Sequence, residues 1–336
     1  MSGYKDRGPA AEMRVLITGG SGFIGTNLVE FYLKRGTPII NVDVLGPRNP
    51  AHAQCWVEVD IRNVGALKSK LRVFSPTHVI HLAARTDLRG HTLADYDANI
   101  SGVASVVEAV NTCRTVERVV YASSMLVCAT GYKPKAEDDY SPSTLYGESK
   151  IIGEKLVRTV ASGNPGCVIV RPSSIWGQWF GEPYRGFFQS VLNGWFVKFG
   201  STKALKTFGY VGNTAYQVDA LLHAPEASVR GRTLYLGDRP PLTAEEWADE
   251  IARQAGVRRP RTAPVRLVRA AAKVGDALAR IGLSAPMTSF RLANITTHNE
   301  VDLDDIYSIA GAPPYSLEEG VCMTLDWLGY PTSAQT

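Results

Sequence analysis

Val15-Leu16-Ile17-Thr18-Gly19-Gly20-Ser21-Gly22-Phe23-Ile24-Gly25 decides how this chain of 336 residues is to be read. A short apolar run enters a glycine-rich turn, after which Ile24, Leu28, Phe31 and Tyr32 recur at helical spacing, so the segment is strand, tight turn, helix. The turn satisfies Gly-x-Gly-x-x-Gly at Gly20, Gly22 and Gly25, and Gly-x-x-Gly-x-x-Gly at Gly19, Gly22 and Gly25. Glycines there permit the sharp turn, let the backbone approach a pyrophosphate and allow the helix to pack close, while free N–H groups at the helix N-terminus face the phosphates. Asp43 ends the second strand, where a carboxylate binds the adenosine ribose hydroxyls of NAD. It would repel a 2′-phosphate, so NAD is expected over NADP, with Arg48 as the nearby residue that could soften the preference.

Outward from this unit the same alternation continues. Ile39–Asp43, Trp56–Val59, His78–Leu82, Arg118–Ala122 and Cys167–Arg171 read as strands, mostly with helical segments between them. Right-handed strand-helix-strand crossovers repeated in this way build a doubly wound parallel α/β sheet, a Rossmann architecture whose ligand crevice lies at the carboxyl ends of the strands. After Pro172 the rhythm weakens into a smaller mixed α/β lobe, with a Gly/Trp/Phe-rich stretch from Trp176 to Gly186, a helix over Phe187–Asn193 and a strand near Phe196–Phe199. We expect a frayed tail over 1–12, a dinucleotide-binding domain over 13–175 to which later segments return, and a substrate lobe over 176–330.

Composition excludes several classes. Hydrophobic residues at 45% and charged residues at 20% argue against a disordered or coiled-coil chain, and a dispersed net charge of +4 argues against nucleic acid as a partner. The odd, scattered cysteines Cys55, Cys113, Cys128, Cys167 and Cys322 have no metal-ligand spacing, so no metal is expected, and reduced thiols fit a cytoplasmic location. No uninterrupted apolar run is long enough to span a bilayer, and the polar N-terminus lacks a signal-peptide core. The region from Val257 to Leu283 holds seven basic residues and one acid, Asp276. Leu267, Ala271, Val274, Leu278 and Ile281 line one face of the helix there. Such a face can lie on an anionic membrane, but the plainer reading is that it packs on the core.

Chemistry enters at Tyr146-Gly147-Glu148-Ser149-Lys150, where a phenol and an ammonium at i and i+4 share a helix face. A neighbouring ammonium and an oxidised nicotinamide both favour the phenolate. Ser123 and Ser124 end the preceding strand, so a hydroxyl and the phenol can converge on one substrate oxygen at the sheet edge.

These residues, with Asp60-Ile61-Arg62, His81-Leu82-Ala83-Ala84, Asn99, Arg171-Pro172-Ser173-Ser174 and Tyr315 to Gly320, resemble the extended short-chain dehydrogenase/reductases. More narrowly, they resemble the NAD-dependent epimerase/dehydratase family that acts on nucleotide sugars. The resemblance, over about 14 to 330, implies that Gly19, Gly22, Phe23, Ile24 and Gly25 hold the pyrophosphate. It implies that Asp60 and Ile61 flank the adenine, that Leu82, Ala83 and Ala84 line the cofactor channel, and that Asn99 supports the fourth strand and its helix. By the same resemblance Lys150 binds the nicotinamide ribose, Pro172 and Ser173 lie near the nicotinamide, Ser123 is a cofactor contact, and Ser174 faces the sugar. Lys206 stands where relatives place an arginine for the substrate diphosphate, with Arg291 a second candidate. Arg85 and Thr86, following the fourth strand, could also meet substrate.

Departures narrow the reaction. Met125 and Leu126, after Ser124, cannot supply the acid and base with which the family's dehydratases remove water. We therefore expect a nucleotide-sugar epimerase, acting at C4 through transient oxidation, with Tyr146, Lys150 and Ser124 as catalytic residues. The alternatives are a keto-sugar or other carbonyl reductase, and a non-catalytic dinucleotide sensor or scaffold. A homodimer through helices near 98–113 and 146–163 is implied by the resemblance. His81 reads as a packing residue, His91 as a solvated loop residue or a cover over the cofactor, and Trp176, Trp179, Phe180 and Tyr184 as hinge packing or a stacking surface.

Overall fold

The structure, a computed structural model, describes residues 12–159, 165–198, 204–280 and 289–331. The expected tail lies outside them except for Glu12. In chain order the elements are β1 (Val15–Thr18), α1 (Phe23–Lys34), β2 (Ile39–Asp43), β3 (Trp56–Glu58), α2 (Val64–Phe74), β4 (His78–His81), α3 (Ser101–Asn111), β5 (Arg118–Ala122), α4 (Leu145–Arg158), β6 (Gly166–Pro172) and β7 (Ser174–Trp176). There follow α5 (Tyr184–Leu192), β8 (Val197–Lys198), β9 (Phe208–Tyr210), α6 (Val211–His223), α7 (Glu226–Val229), β10 (Thr233–Leu236), α8 (Ala244–Gln254), β11 (Arg261–Thr262), α9 (Val265–Arg280), α10 (Ser289–Thr296), α11 (Asp304–Ala310) and α12 (Leu317–Trp327).

Seven parallel strands form the main sheet in the order β10-β6-β5-β4-β1-β2-β3. Strands buried on both faces read as continuous apolar runs, and alternate residues serve opposite sides. Val15 and Ile17 of β1, Ile80 of β4, Val120 of β5 and Val168 and Val170 of β6 join a core under α1, α6 and α11. Leu16, Val79, Val119, Cys167 and Ile169 join the opposite core under α2 and α3. The chain moves from β1 outward to β3 and then resumes at β4 on the other side of β1. That reversal opens a crevice at the carboxyl ends of β1 and β4.

The remaining elements build a smaller body at this edge. β7 pairs with β9, and an aromatic core of Trp176, Phe180, Phe188, Phe208, Tyr210 and Trp247 packs α5 and α8 against α12. Trp247 stacks face to face on Phe187 at 4.6 Å and lies 5.4 Å from Trp176. Trp176, Phe180 and Tyr184 are therefore packing residues. Asn213 donates to Asp238 at 3.0 Å and to the Tyr315 carbonyl at 2.8 Å, which joins α6 to the segment before α12.

One sequence expectation is corrected here. Leu267 and Val274 of α9 do not pack inward: they are 64% and 60% exposed, whereas Val268 and Ala272, on the neighbouring face, are buried against Leu292. Helical periodicity defines an apolar stripe, but the packing of α9 on α10 and β8 selects a different one. Ile281 of that stripe lies outside the described residues.

Candidate active site

The turn after β1 is shaped by close approach. Gly19 has φ +75°, and a Cβ there would lie 2.5 Å from the Ala83 nitrogen. A Cβ on Gly25 would meet the Gly20 Cα at 2.6 Å. Gly22 is the N-cap of α1 and has no side chain to cap it, so the first-turn N–H groups of Phe23 and Ile24 face the crevice mouth. Asp43 accepts from the Ser21 N–H at 3.0 Å through one oxygen and from the Leu45 N–H at 3.0 Å through the other, which fixes its carboxylate beside the turn. Arg48 is bound to the Ser21 and Trp179 carbonyls at 3.1 and 2.8 Å. Asp60, beyond β3, is held by Arg62, whose guanidinium keeps that carboxyl below its usual range. Ile61 is buried against Gly102. Leu82 donates to the Thr18 carbonyl, which runs the Leu82 to Ala84 segment along the turn.

The catalytic candidates meet at the end of β5. Ser124 caps the short turn Met125–Val127, its Oγ accepting from the Leu126 N–H at 3.1 Å, and its hydroxyl lies close enough to the Tyr146 phenol to lower that group's pKa. Thr144 caps α4 by accepting from the Gly147 N–H, which starts the helix with Tyr146 in its first turn. Tyr146 is 7% exposed. Burial raises its pKa and the Ser124 hydroxyl beside it pulls it partly back. The Lys150 Nζ donates to the Ala122 carbonyl at 2.6 Å, and burial lowers its own pKa to about 8. Lys150 is thus tied to the end of β5, one turn along α4 from the phenol.

Asn99 proves to be a clamp. Fully buried, it accepts from the Arg85 N–H at 2.8 Å, donates to the Arg85 carbonyl at 3.0 Å and donates to Ser149 at 2.9 Å. Ser149 in turn donates to the Tyr146 carbonyl at 2.7 Å, so one side chain ties the loop after β4 to α4.

Sequence reasoning missed two features. Tyr96, three residues before Asn99 and 1% exposed, sets its ring 6.1 Å from Tyr146 and donates to the Asp87 carbonyl at 2.8 Å. Arg171 and Glu154 form an ion pair at 2.8 Å with both side chains 1% exposed. A signal was available for the second: an arginine in the apolar run of β6 requires a buried partner, and Glu154 continues the Tyr146/Lys150 face of α4.

The remaining candidates fare unevenly. Ser123 and Ser173 are near the strand ends, and each has a buried hydroxyl with no hydrogen-bond partner among the described residues. Pro172 ends β6. Ser174 starts β7, near enough to the buried Tyr184 hydroxyl to offset part of the rise that burial gives that phenol's pKa. Lys206 is half-buried and backbone-paired with Leu242 and Asn299, and desolvation lowers its pKa. Arg85 is committed to Asp87 at 2.9 Å and to the Asp95 carbonyl at 2.9 Å, and Thr86 is exposed. Arg291 belongs to α10, but its side chain lies outside the described residues. His81 is buried and neutral, its Nδ1 bonded to Thr18 at 2.7 Å and its pKa lowered to about 3 by burial and by Lys150. Among the described residues no group of His, Cys, Asp and Glu could hold a metal ion, and no helix is long and apolar enough to cross a membrane.

A dinucleotide fits this cradle. The tight backbone packing that Gly19 and Gly25 allow in the turn, the uncapped helix start, and the buried hydroxyls of Ser123 and Ser173, without a partner among the described residues, all lie along the carboxyl edge of the sheet. Comparison with known proteins agrees. The model of the NAD dependent epimerase/dehydratase family matches residues 15–237. The chain is 30% identical to the 3β-hydroxysteroid dehydrogenase/Δ5→4-isomerase of Mycobacterium tuberculosis over 74% of its own length and 71% of that protein. It is 25% identical to the N-acetyl-α-D-glucosaminyl-diphospho-ditrans,octacis-undecaprenol 4-epimerase of Escherichia coli O157:H7, over 93% and 94% of the two chains. Among solved structures, the UDP-glucose 4-epimerase of Thermus thermophilus in complex with NAD superposes with a TM-score of 0.69 at 24% identity, covering 94% of this chain and 99% of that one. The shared fold is that of the extended epimerases.

Proposed function

The chain belongs to the NAD-dependent epimerase/dehydratase family, and from that premise we propose that it is an NAD-dependent enzyme acting on a secondary alcohol of a nucleotide sugar, inverting C4. The observation that carries the reading is the meeting of Tyr146 with Ser124 at the end of β5, with Lys150 one turn behind, beside a crevice shaped for a dinucleotide. When bound, NAD supplies a hydride acceptor whose oxidised ring is cationic. The Ser124 hydroxyl orients the substrate oxygen toward the Tyr146 phenol. Tyr146 Oη takes the hydroxyl proton as the carbinol carbon is oxidised and returns it when the keto carbon is reduced. Lys150 provides positive charge close by, and Asn99 fixes the loop and helix between which the substrate must enter. Met125 and Leu126 offer no titrating group, which supports epimerisation over loss of water. Lys206, with no acidic partner among the described residues, is the cation we assign to a substrate diphosphate. Asp43 beside the glycine turn supports NAD rather than NADP.

A second reading has its own support: relatives at 30% and 31% identity are 3β-hydroxysteroid dehydrogenases, and they favour one-way oxidation or reduction of an apolar alcohol or ketone at the same Tyr146. One experiment separates the two. Purified protein is incubated with NAD against a panel of UDP- and dTDP-sugars and against 3β-hydroxysteroids, with isomers followed by NMR and reduced nicotinamide by absorbance. Sugar isomers without net reduced nicotinamide support the epimerase. Stoichiometric reduced nicotinamide with a steroid, and no sugar isomer, would replace it. We also propose a homodimer through α3 and α4, to be tested by sedimentation velocity.

A further inference from the structure

Helix α9 presents three faces. Val268, Ala272 and Gly275 turn inward, where the first two pack with Leu292, Val197, Ala263 and Ile295 in a small core apart from the main ones. Around the cylinder, Leu267 and Val274, two turns apart and so on one line, stand out in solvent. Arg266, Arg269 and Lys273 are exposed on the side away from the packed face. Just ahead of the helix, Arg258, Arg259 and Arg261 are exposed too. β11 runs beside β8, and Trp195, two residues before β8, is 73% exposed, the most exposed aromatic ring among the described residues.

We propose that this face is a peripheral docking surface for an anionic phospholipid bilayer. Residues 258–280 hold seven Lys and Arg against one Asp, so this short stretch is more positive than the whole chain, which carries +4. Clustered cations draw a protein to acidic lipid, an aliphatic stripe on a helix lying flat sinks into the acyl boundary, and a tryptophan settles at headgroup depth. All three are present in one small subassembly. Other occupants match less of it. A second copy on a two-fold axis would set the same cations against themselves. A nucleic acid would meet the cations but leave Leu267 and Val274 in water. Neither the fold nor the chemistry at Tyr146 requires this face, so the proposal stands apart from the assigned reaction.

The test is flotation of the full-length protein with vesicles of phosphatidylcholine alone, or with about 30% phosphatidylglycerol added. The wild type should partition to the acidic vesicles at least about tenfold more strongly, and tryptophan emission should shift to the blue in a way that Trp195→Phe removes. Arg266→Gln with Arg269→Gln and Lys273→Gln should weaken binding roughly a hundredfold, since each cation near an acidic surface multiplies partitioning by about five. Leu267→Gln with Val274→Gln should weaken it about tenfold at unchanged salt. The changed positions are exposed, and an unaltered melting temperature checks that each variant folds. Equal binding to both vesicle types, no binding, or binding indifferent to both sets of changes overturns the proposal. So does a self-association, seen in sedimentation velocity, that the Leu267/Val274 change abolishes, because the occupant is then a second copy.

Discussion

Glu154→Gln should lower stability far more than its conservative chemistry implies. Arg171 reaches both Glu154 oxygens at 2.8 Å, Tyr140 donates to the same carboxylate at 2.8 Å, and neither member of the pair is more than 1% exposed. Neutralising the carboxylate leaves a buried guanidinium without its counter-charge, a loss of about 3–5 kcal/mol. Arg171 keeps the Glu137 carbonyl at 2.6 Å and the Tyr235 hydroxyl at 3.3 Å, which places the expected cost near the lower end, about 3 kcal/mol. A chain of 336 residues unfolds with an entropy of roughly 0.7 kcal/mol per degree, so the melting temperature should fall by about 4–5 °C. Thermal unfolding of Glu154→Leu, Arg171→Met and the double variant completes the cycle. Replacing both partners by apolar groups should cost much less than the sum of the single changes, with a coupling of about 2 kcal/mol or more. A second readout concerns Lys150, one turn away on α4, whose charge Glu154 supports. Glu154→Gln should move the Lys150 titration further below about 8, shifting the alkaline limb of the rate profile to lower pH. A melting temperature within about 1 °C of wild type, or an additive cycle, would refute the reasoning.

Other expectations follow from the same geometry. Tyr146→Phe should lose about 10²–10⁴ in kcat while NAD binding, followed by fluorescence quenching, changes little, and turnover near wild type would remove Tyr146 from the reaction. Gly19→Ala and Gly36→Ala share a positive φ, but only the first drives a Cβ into Ala83. Gly36→Ala should therefore cost about 1 kcal/mol in urea unfolding, and Gly19→Ala clearly more, together with weakened NAD binding. The Lys150 pKa, about 8 when folded, lies below its ordinary 10.5, so between these values the unfolded chain holds more protons. Wild type should then gain stability as pH rises through that window, by roughly 3 kcal/mol relative to Lys150→Met, and a pH-independent difference between the two would contradict a desolvated lysine.

What was legible in the sequence was whatever neighbours along the chain decide. The glycine turn announces itself because Gly19, Gly22 and Gly25 share one turn of backbone with the strand and helix they join. Tyr146 and Lys150 were found because four residues on a helix is one turn of height. Asn99 was located by resemblance, but not its work, since its partners Arg85 and Ser149 come from two other segments. Lys150 shows the limit most clearly. The sequence places an ammonium near a phenol, yet only the packed site shows that the ammonium is bound to the Ala122 carbonyl and that burial governs both groups.

The chain alone therefore determined the parallel α/β fold, the dinucleotide turn and the phenol-ammonium pair, because each is written in local spacing. Tertiary structure alone decided that Tyr96 packs on Tyr146, that Arg171 finds Glu154, that Arg85 is taken up by Asp87, and which side of α9 meets water. Burial and charge pairing depend on segments brought together from far apart in the chain, and periodicity can mark an apolar stripe without saying what, if anything, covers it.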